Sequence, residues 1–217
     1  RHGILRPSLY NEPGGLGDSI TLAELLSEAG YVTQAVGKWH LGENLASQPQ
    51  NVGFDHFTGF LSVSDMYTEW RDIDFYPEIA LSEGRTQMMR DFAFEKYWVQ
   101  ASKNGELERI AEIDIDVLTY LDQNWADFSV NFIKEMADSD QPFFLYHGTR
   151  GAHFDNYPPE EYLGKSPAKQ RYKDTIVELD DILGRLVKAL EETGQLENTL
   201  IFIASDNGPE MEAWPDS

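Results

Sequence analysis

Apolar and polar positions alternate along this chain in blocks that read as helix followed by strand. Thr21-Leu22-Ala23-Glu24 has the spacing of a capping box, and Leu22, Leu25, Leu26 and Ala29 share one helical face. Gly30 stands where a helix C-terminus favours positive φ. Residues 31–36 are then β-branched and aromatic between glycines, a buried strand that ends at Gly37. Residues 125–136 place Trp125, Phe128, Phe132, Ile133 and Met136 on one side and predict a second helix. A polar turn at 138–141 leads into a second apolar strand, 142–146. Over 171–194, Tyr172, Ile176, Leu179, Leu183, Leu186 and Leu190 recur at steps of four and three, which predicts a third helix closed by Thr193-Gly194. Its neighbours Glu178, Asp180 and Asp181 read as solvated. Residues 199–204 are apolar, as a central parallel strand should be. The expected fold is α/β, a doubly wound, mostly parallel sheet flanked by helices.

Two regions carry less pattern. Residues 13–17 form a turn-rich loop. Residues 66–121 mix aromatics (Tyr67, Trp70, Phe75, Tyr76, Phe92, Phe94, Tyr97, Trp98) with charges and sustain no period.

Composition narrows the class. At 217 residues, 41% hydrophobic and 12% aromatic, the chain can build a core. No apolar run is long enough to span a bilayer. The formal charge is −21, from 17 Lys+Arg against 38 Asp+Glu, which repels phosphate backbones and argues against a nucleic-acid partner. Solubility is the preferred explanation of the acidity. Cysteine is absent, so redox usage does not reveal the compartment.

The chemistry-bearing residues cluster where strands end. Lys38 and His40 follow the first strand, and the carboxyl ends of strands are where open α/β sheets bind ligands. His147 and His153 follow the second. Asp206 and Asn207 follow the third and offer hard oxygens suited to Ca²⁺, although Asp-Asn-Gly is also ordinary turn chemistry.

Residues 30–42, Gly-Tyr-Val-Thr-Gln-Ala-Val-Gly-Lys-Trp-His-Leu-Gly, closely resemble the second signature of the sulfatases, Gly-Tyr-x-Thr-x-x-x-Gly-Lys-x-His. Gly53-Phe54-Asp55-His56-Phe57-Thr58-Gly59 is similar to a run that sulfatases carry next; aromatic packing with glycine turns is its physical role, and His56 reads as structural. Ser62 and Ser64 are the nearest residues to a sulfate-contacting position of some members. Ser205-Asp206-Asn207-Gly208 resembles the family's calcium-binding tract. The resemblance implies an alkaline phosphatase-like fold and a sulfuric ester hydrolase acting on a small-molecule or carbohydrate sulfate ester. Lys38, His40 and His153 would be catalytic, with His153 against the leaving-group oxygen, although Phe154 stands next where the family usually writes His-x-Pro. Asp206 and Asn207 would hold Ca²⁺, with Mg²⁺ the lesser alternative. The implied nucleophile is a formylglycine made from Cys or Ser in Cys/Ser-x-Pro-x-Arg, a motif these residues do not contain.

The chain therefore reads as the middle part of one catalytic domain, incomplete at both ends, with the nucleophile expected upstream of Arg1. Residues 61–121 would be a variable excursion, either walling the substrate cleft or forming a solvated aromatic cluster. These residues alone are expected to be inactive. A phosphoesterase or phosphonate hydrolase of the same superfamily, or a non-catalytic remnant, are the alternatives. Family habit implies a periplasmic or secreted protein.

Overall fold

The computed structural model describes residues 13, 15–16, 19–62, 72–74, 76–92 (backbone only at 88–92), 97–153 and 156–208. The Arg1-His2-Gly3 tract, Ser64, Tyr67, Trp70, Phe75, Phe94, Phe154 and Asp155 lie outside them. Two compact units result, Arg1–Leu118 with Gln141–Gly148, and Thr119–Asp140 with Thr149–Ser217.

The first unit begins with helix α1, Leu22–Glu28. Its predicted capping box forms: the Thr21 hydroxyl accepts the Glu24 N–H at 3.0 Å, and Glu24 Oε2 accepts the Thr21 N–H at 2.9 Å. Gly30, at φ +89°, turns the chain into strand β1, Val32–Lys38. This strand starts one residue later than expected and runs past Gly37 to include Lys38.

Four further strands complete this sheet: β2, His56–Phe60; β3, Tyr97–Ser102; β4, Glu108–Glu112; and β5, Phe143–Gly148. Their order is β4-β3-β2-β1-β5. β1 pairs in parallel with both β2 and β5. The β3–β4 ribbon joins β2 antiparallel, so the sheet is mixed. That ribbon arises within the weakly patterned excursion, which also folds helices α2, Pro77–Ala80, and α3, Glu83–Phe92. Ala23, Ala35, Trp39, Val52, Phe54, Phe57, Leu61 and Val99 form the core of this first unit. Phe54 stacks on Phe144 at 5.8 Å and meets Trp39 edge-on at 5.8 Å, so the Gly-Phe-Asp run does supply aromatic packing.

The second unit is built on two long helices. α4, Ile115–Ala137, begins ten residues before the predicted 125; only its first turn belongs to the first unit. Asp114 Oδ1 accepts the Val117 N–H at 2.8 Å and starts it. Its buried stripe runs through Leu121, Asp122, Trp125, Ser129, Phe132, Ile133 and Met136, while Phe128, expected inside, is 39% exposed. Polar residues on that stripe hid the helix's first half from an apolar count.

α5, Arg171–Glu192, agrees with the predicted span. Its buried residues are Asp174, Thr175, Glu178, Ile182, Ala189 and Leu190, whereas Ile176 of the expected stripe is 43% exposed. Two buried carboxylates explain the offset. Asp174 accepts the Gly164 and Ser166 N–H groups at 2.7 and 2.8 Å, and Glu178 accepts from Gln123 Nε2 at 3.0 Å. Glu178, expected to be solvated, is 3% exposed.

The strand expected over 199–204 is not formed. Residues 200–204 join no ladder among the described residues, and Leu200 and Phe202 are 80% and 86% exposed. An apolar run becomes a strand only when a neighbour takes its backbone hydrogen bonds.

Candidate active site

Three parallel strands of the first unit bring their carboxyl ends to Lys38. β1 and β2 pair up to Lys38 opposite Phe60, and β1 and β5 up to Gly37 opposite Gly148. The backbones meet closely. A Cβ on Gly59 would overlap the Gly37 carbonyl, and one on Gly148 would lie 2.5 Å from the Lys38 carbonyl oxygen. Pairing continues past the strand, with the Trp39 N–H donating to Phe60 O and the His40 N–H to Leu61 O, both at 3.0 Å.

Trp39 separates the two candidate residues and anchors them. It is 5% exposed, and its indole N–H donates to Ser47 O at 2.8 Å. Lys38 and His40 on either side are half-buried. His40 has φ +47°, the left-handed region that non-glycine residues seldom occupy. Such backbone costs on the order of 1–3 kcal/mol and persists where surrounding contacts impose it, often at functional sites.

In the second unit, His153 ends a tight turn after β5. Its N–H donates to Arg150 O at 3.3 Å, and Ala152 is left-handed at φ +67°. His153 is half-buried. Asp206 and Asn207 are exposed in a bend over 206–208, where the Ser205 hydroxyl donates to Asn207 O at 2.6 Å. A carboxylate and an amide oxygen are the right donor types for Ca²⁺, but they supply only part of a shell of about six to eight oxygens. Among the described residues no group of three His, Cys, Asp or Glu side chains gathers to hold a metal.

The sequence reading passed over Asp122 and Arg150, and took Glu178 as solvated, although all three are buried. Asp122 is 6% exposed and accepts the Arg150 and Gly151 N–H groups, each at 2.8 Å. Arg150 is itself buried, its guanidinium 5.7 Å from the Tyr157 ring centroid. Burial pushes the Glu178 carboxyl up to about 7; Asp122 and Glu161 repel its charge further, while Gln123 and Arg150 oppose the rise. The available signal for Asp122 was its place on the stripe of Leu118 and Trp125 at steps of four and three.

No described helix is long and apolar enough to cross a membrane.

Comparison with known proteins gives one answer. Residues 1–215 match the family described as Sulfatase. Arylsulfatase G of Rattus norvegicus is 31% identical over 212 residues, 96% of this chain and 39% of its own length. N-acetylgalactosamine-6-sulfatase of Homo sapiens is 31% identical over 207 residues, 94% of this chain and 35% of its own. The solved structure of PsFucS1 sulfatase from Pseudoalteromonas sp. superposes with a TM-score of 0.90 at 37% identity, covering 100% of this chain and 44% of that one. The chain thus spans less than half the length of these relatives.

Proposed function

Because this chain belongs to the sulfatase family, we propose that it is the middle part of a catalytic domain that hydrolyses sulfate monoesters. Its α/β sheet is part of an alkaline phosphatase-like fold. The observation that carries the reading is the Gly-Tyr-x-Thr-x-x-x-Gly-Lys-x-His run, whose Lys38 ends β1 beside the ends of two parallel strands.

A sulfate monoester is a stable anion. Breaking its S–O bond requires charge neutralisation at the sulfate oxygens, an attacking oxygen at sulfur and a proton for the departing oxygen. The Lys38 ammonium is assigned to the sulfate oxygens, where a fixed cation stabilises the transition state. The His153 imidazole is assigned to the leaving-group oxygen as hydrogen-bond donor or general acid. His40 is assigned as the base, or the group that orients the base, when sulfate is released. Asp206 and Asn207 would contribute side-chain oxygens to Ca²⁺, which when bound supplies further positive charge to the sulfate. The family's formylglycine would supply the attacking oxygen.

A carbohydrate sulfate is the preferred substrate class, supported by the similarity to N-acetylgalactosamine-6-sulfatase. Residues 61–121 are assigned to the surroundings of the substrate cleft. A periplasmic or secreted location follows from the same kinship.

The test uses a polypeptide carrying these residues together with the formylglycine motif. It should hydrolyse an aryl sulfate in preference to the matched aryl phosphate, lose turnover on chelation and regain it with Ca²⁺. Preference for the phosphate ester would assign the site to phosphoester chemistry instead.

A further inference from the structure

Asp122 is used by none of the roles above, yet both of its oxygens accept backbone N–H groups of the turn that leads into His153. It lies on α4 and is 6% exposed. Oδ1 accepts the Arg150 N–H at 2.8 Å, and Oδ2 accepts the Gly151 N–H at 2.8 Å. A carboxylate with two oxygens satisfies two successive backbone donors, a geometry a single amide oxygen does not reproduce. The turn it grips has no slack. A Cβ on Gly151 would stand 2.8 Å from Thr175 Cγ2, 2.9 Å from Leu179 Cδ2 and 3.2 Å from Asp122 Oδ2. Ala152 then turns at φ +67°, and the His153 N–H closes onto Arg150 O at 3.3 Å. The backbone from 150 to 153 is therefore fixed at its start by Asp122, in its middle by α5 and at its end by its own hydrogen bond.

We propose that Asp122 is a positioning residue for His153, holding the Arg150–Gly151 peptide so that the imidazole stands at the leaving-group oxygen. The proposal rests on the leaving-group role assigned to His153. A merely structural Asp122 would, when altered, slow all substrates alike through loss of folded protein. A positioning Asp122 acts selectively, because a good leaving group needs no proton and a poor one does.

The experiment compares kcat for an aryl sulfate and an alkyl sulfate in the complete polypeptide, as Asp122→Asn, His153→Ala and the double variant. His153→Ala tests the underlying role by itself: a larger loss on the alkyl ester supports it, and equal losses remove it and the proposal together. Given that selectivity, Asp122→Asn should lose roughly ten times more on the alkyl than on the aryl ester, and should add little in the His153→Ala background. Equal losses on both esters, or full additivity in the double variant, would overturn positioning while leaving His153 in place. Should Asp122→Asn fail to fold, amide exchange in the unaltered protein decides. Arg150 and Gly151 N–H groups held by Asp122 should exchange as slowly as those of β5, and rapid exchange at both contradicts the anchor.

Discussion

Asp55 and Thr33 hold each other across the first parallel pairing. The Thr33 N–H donates to Asp55 Oδ2 at 2.9 Å, the Asp55 N–H donates to Thr33 Oγ1 at 2.9 Å, and the Thr33 hydroxyl donates to Gly53 O at 2.7 Å. Thr33 is fully buried. The threonine of one family signature and the aspartate of the next run are thus a single structural device. It fixes where β2 starts against β1, and hence which residue of β2 lies beside Lys38.

Thr33→Val keeps the shape but removes the hydroxyl that donates to the Gly53 carbonyl, while the Asp55 N–H keeps Thr33 O at 2.9 Å. The expected loss is about 1–3 kcal/mol, read as a lower denaturation midpoint. Asp55 adds an acid dependence. Burial raises its pKa, but the Thr33 N–H and Lys103, whose Nζ lies 3.0 Å from Oδ1, bring it below the ordinary aspartate value. A depressed carboxylate stabilises fully above its unfolded pKa of about 4 and loses that contribution as pH falls toward the folded value. Asp55→Asn should therefore weaken the protein at neutral pH and narrow its gap to the unaltered protein under acid.

Glu178 has the opposite sign. Its folded pKa is raised to about 7, chiefly by burial. The stability tied to its protonated form is complete below the unfolded value of about 4.5 and is lost as pH rises toward 7, a change on the order of 3 kcal/mol. Glu178→Gln retains an acceptor for Gln123 and does not ionise. Melting curves from pH 5 to pH 8 should flatten in this variant, with a gain over the unaltered protein at pH 8. An unchanged slope would show that Glu178 keeps its charge at little cost.

Local signals were legible where they were complete within a few residues. The Thr21–Glu24 box and the glycine-bounded run into Lys38 gave α1 and β1 almost to the residue. What depended on distant partners was not. Asp122 lies on the buried face of α4 because the backbone N–H groups of Arg150 and Gly151 satisfy it, and no periodic count anticipates that. β4, Glu-Arg-Ile-Ala-Glu, is largely exposed and has no apolar alternation to read. Residues 199–204 show the reverse case, a strong strand pattern with no ladder among the described residues. The candidate residues were found through motif spacing, while the contact of Asp122 with the turn before His153 needed coordinates.

The left-handed backbone at His40 separates function from folding. Asparagine tolerates φ near +47° better than most side chains. His40→Asn should leave the denaturation midpoint within about 0.5 kcal/mol of the unaltered protein while lowering sulfate ester turnover by roughly a hundredfold or more, the range lost with a general base. A variant that keeps full turnover would assign His40 to the turn alone.

The central claim is that Lys38, at the end of β1, holds the sulfate. The most direct measurement is kcat/KM for an aryl sulfate, with calcium, by a polypeptide carrying these residues and the formylglycine motif, compared with its Lys38→Ala variant. Loss of a preorganised cation at the developing charge predicts a fall of roughly a hundredfold to a thousandfold, with the melting temperature preserved. Turnover in the variant equal to that of the unaltered protein would contradict the account.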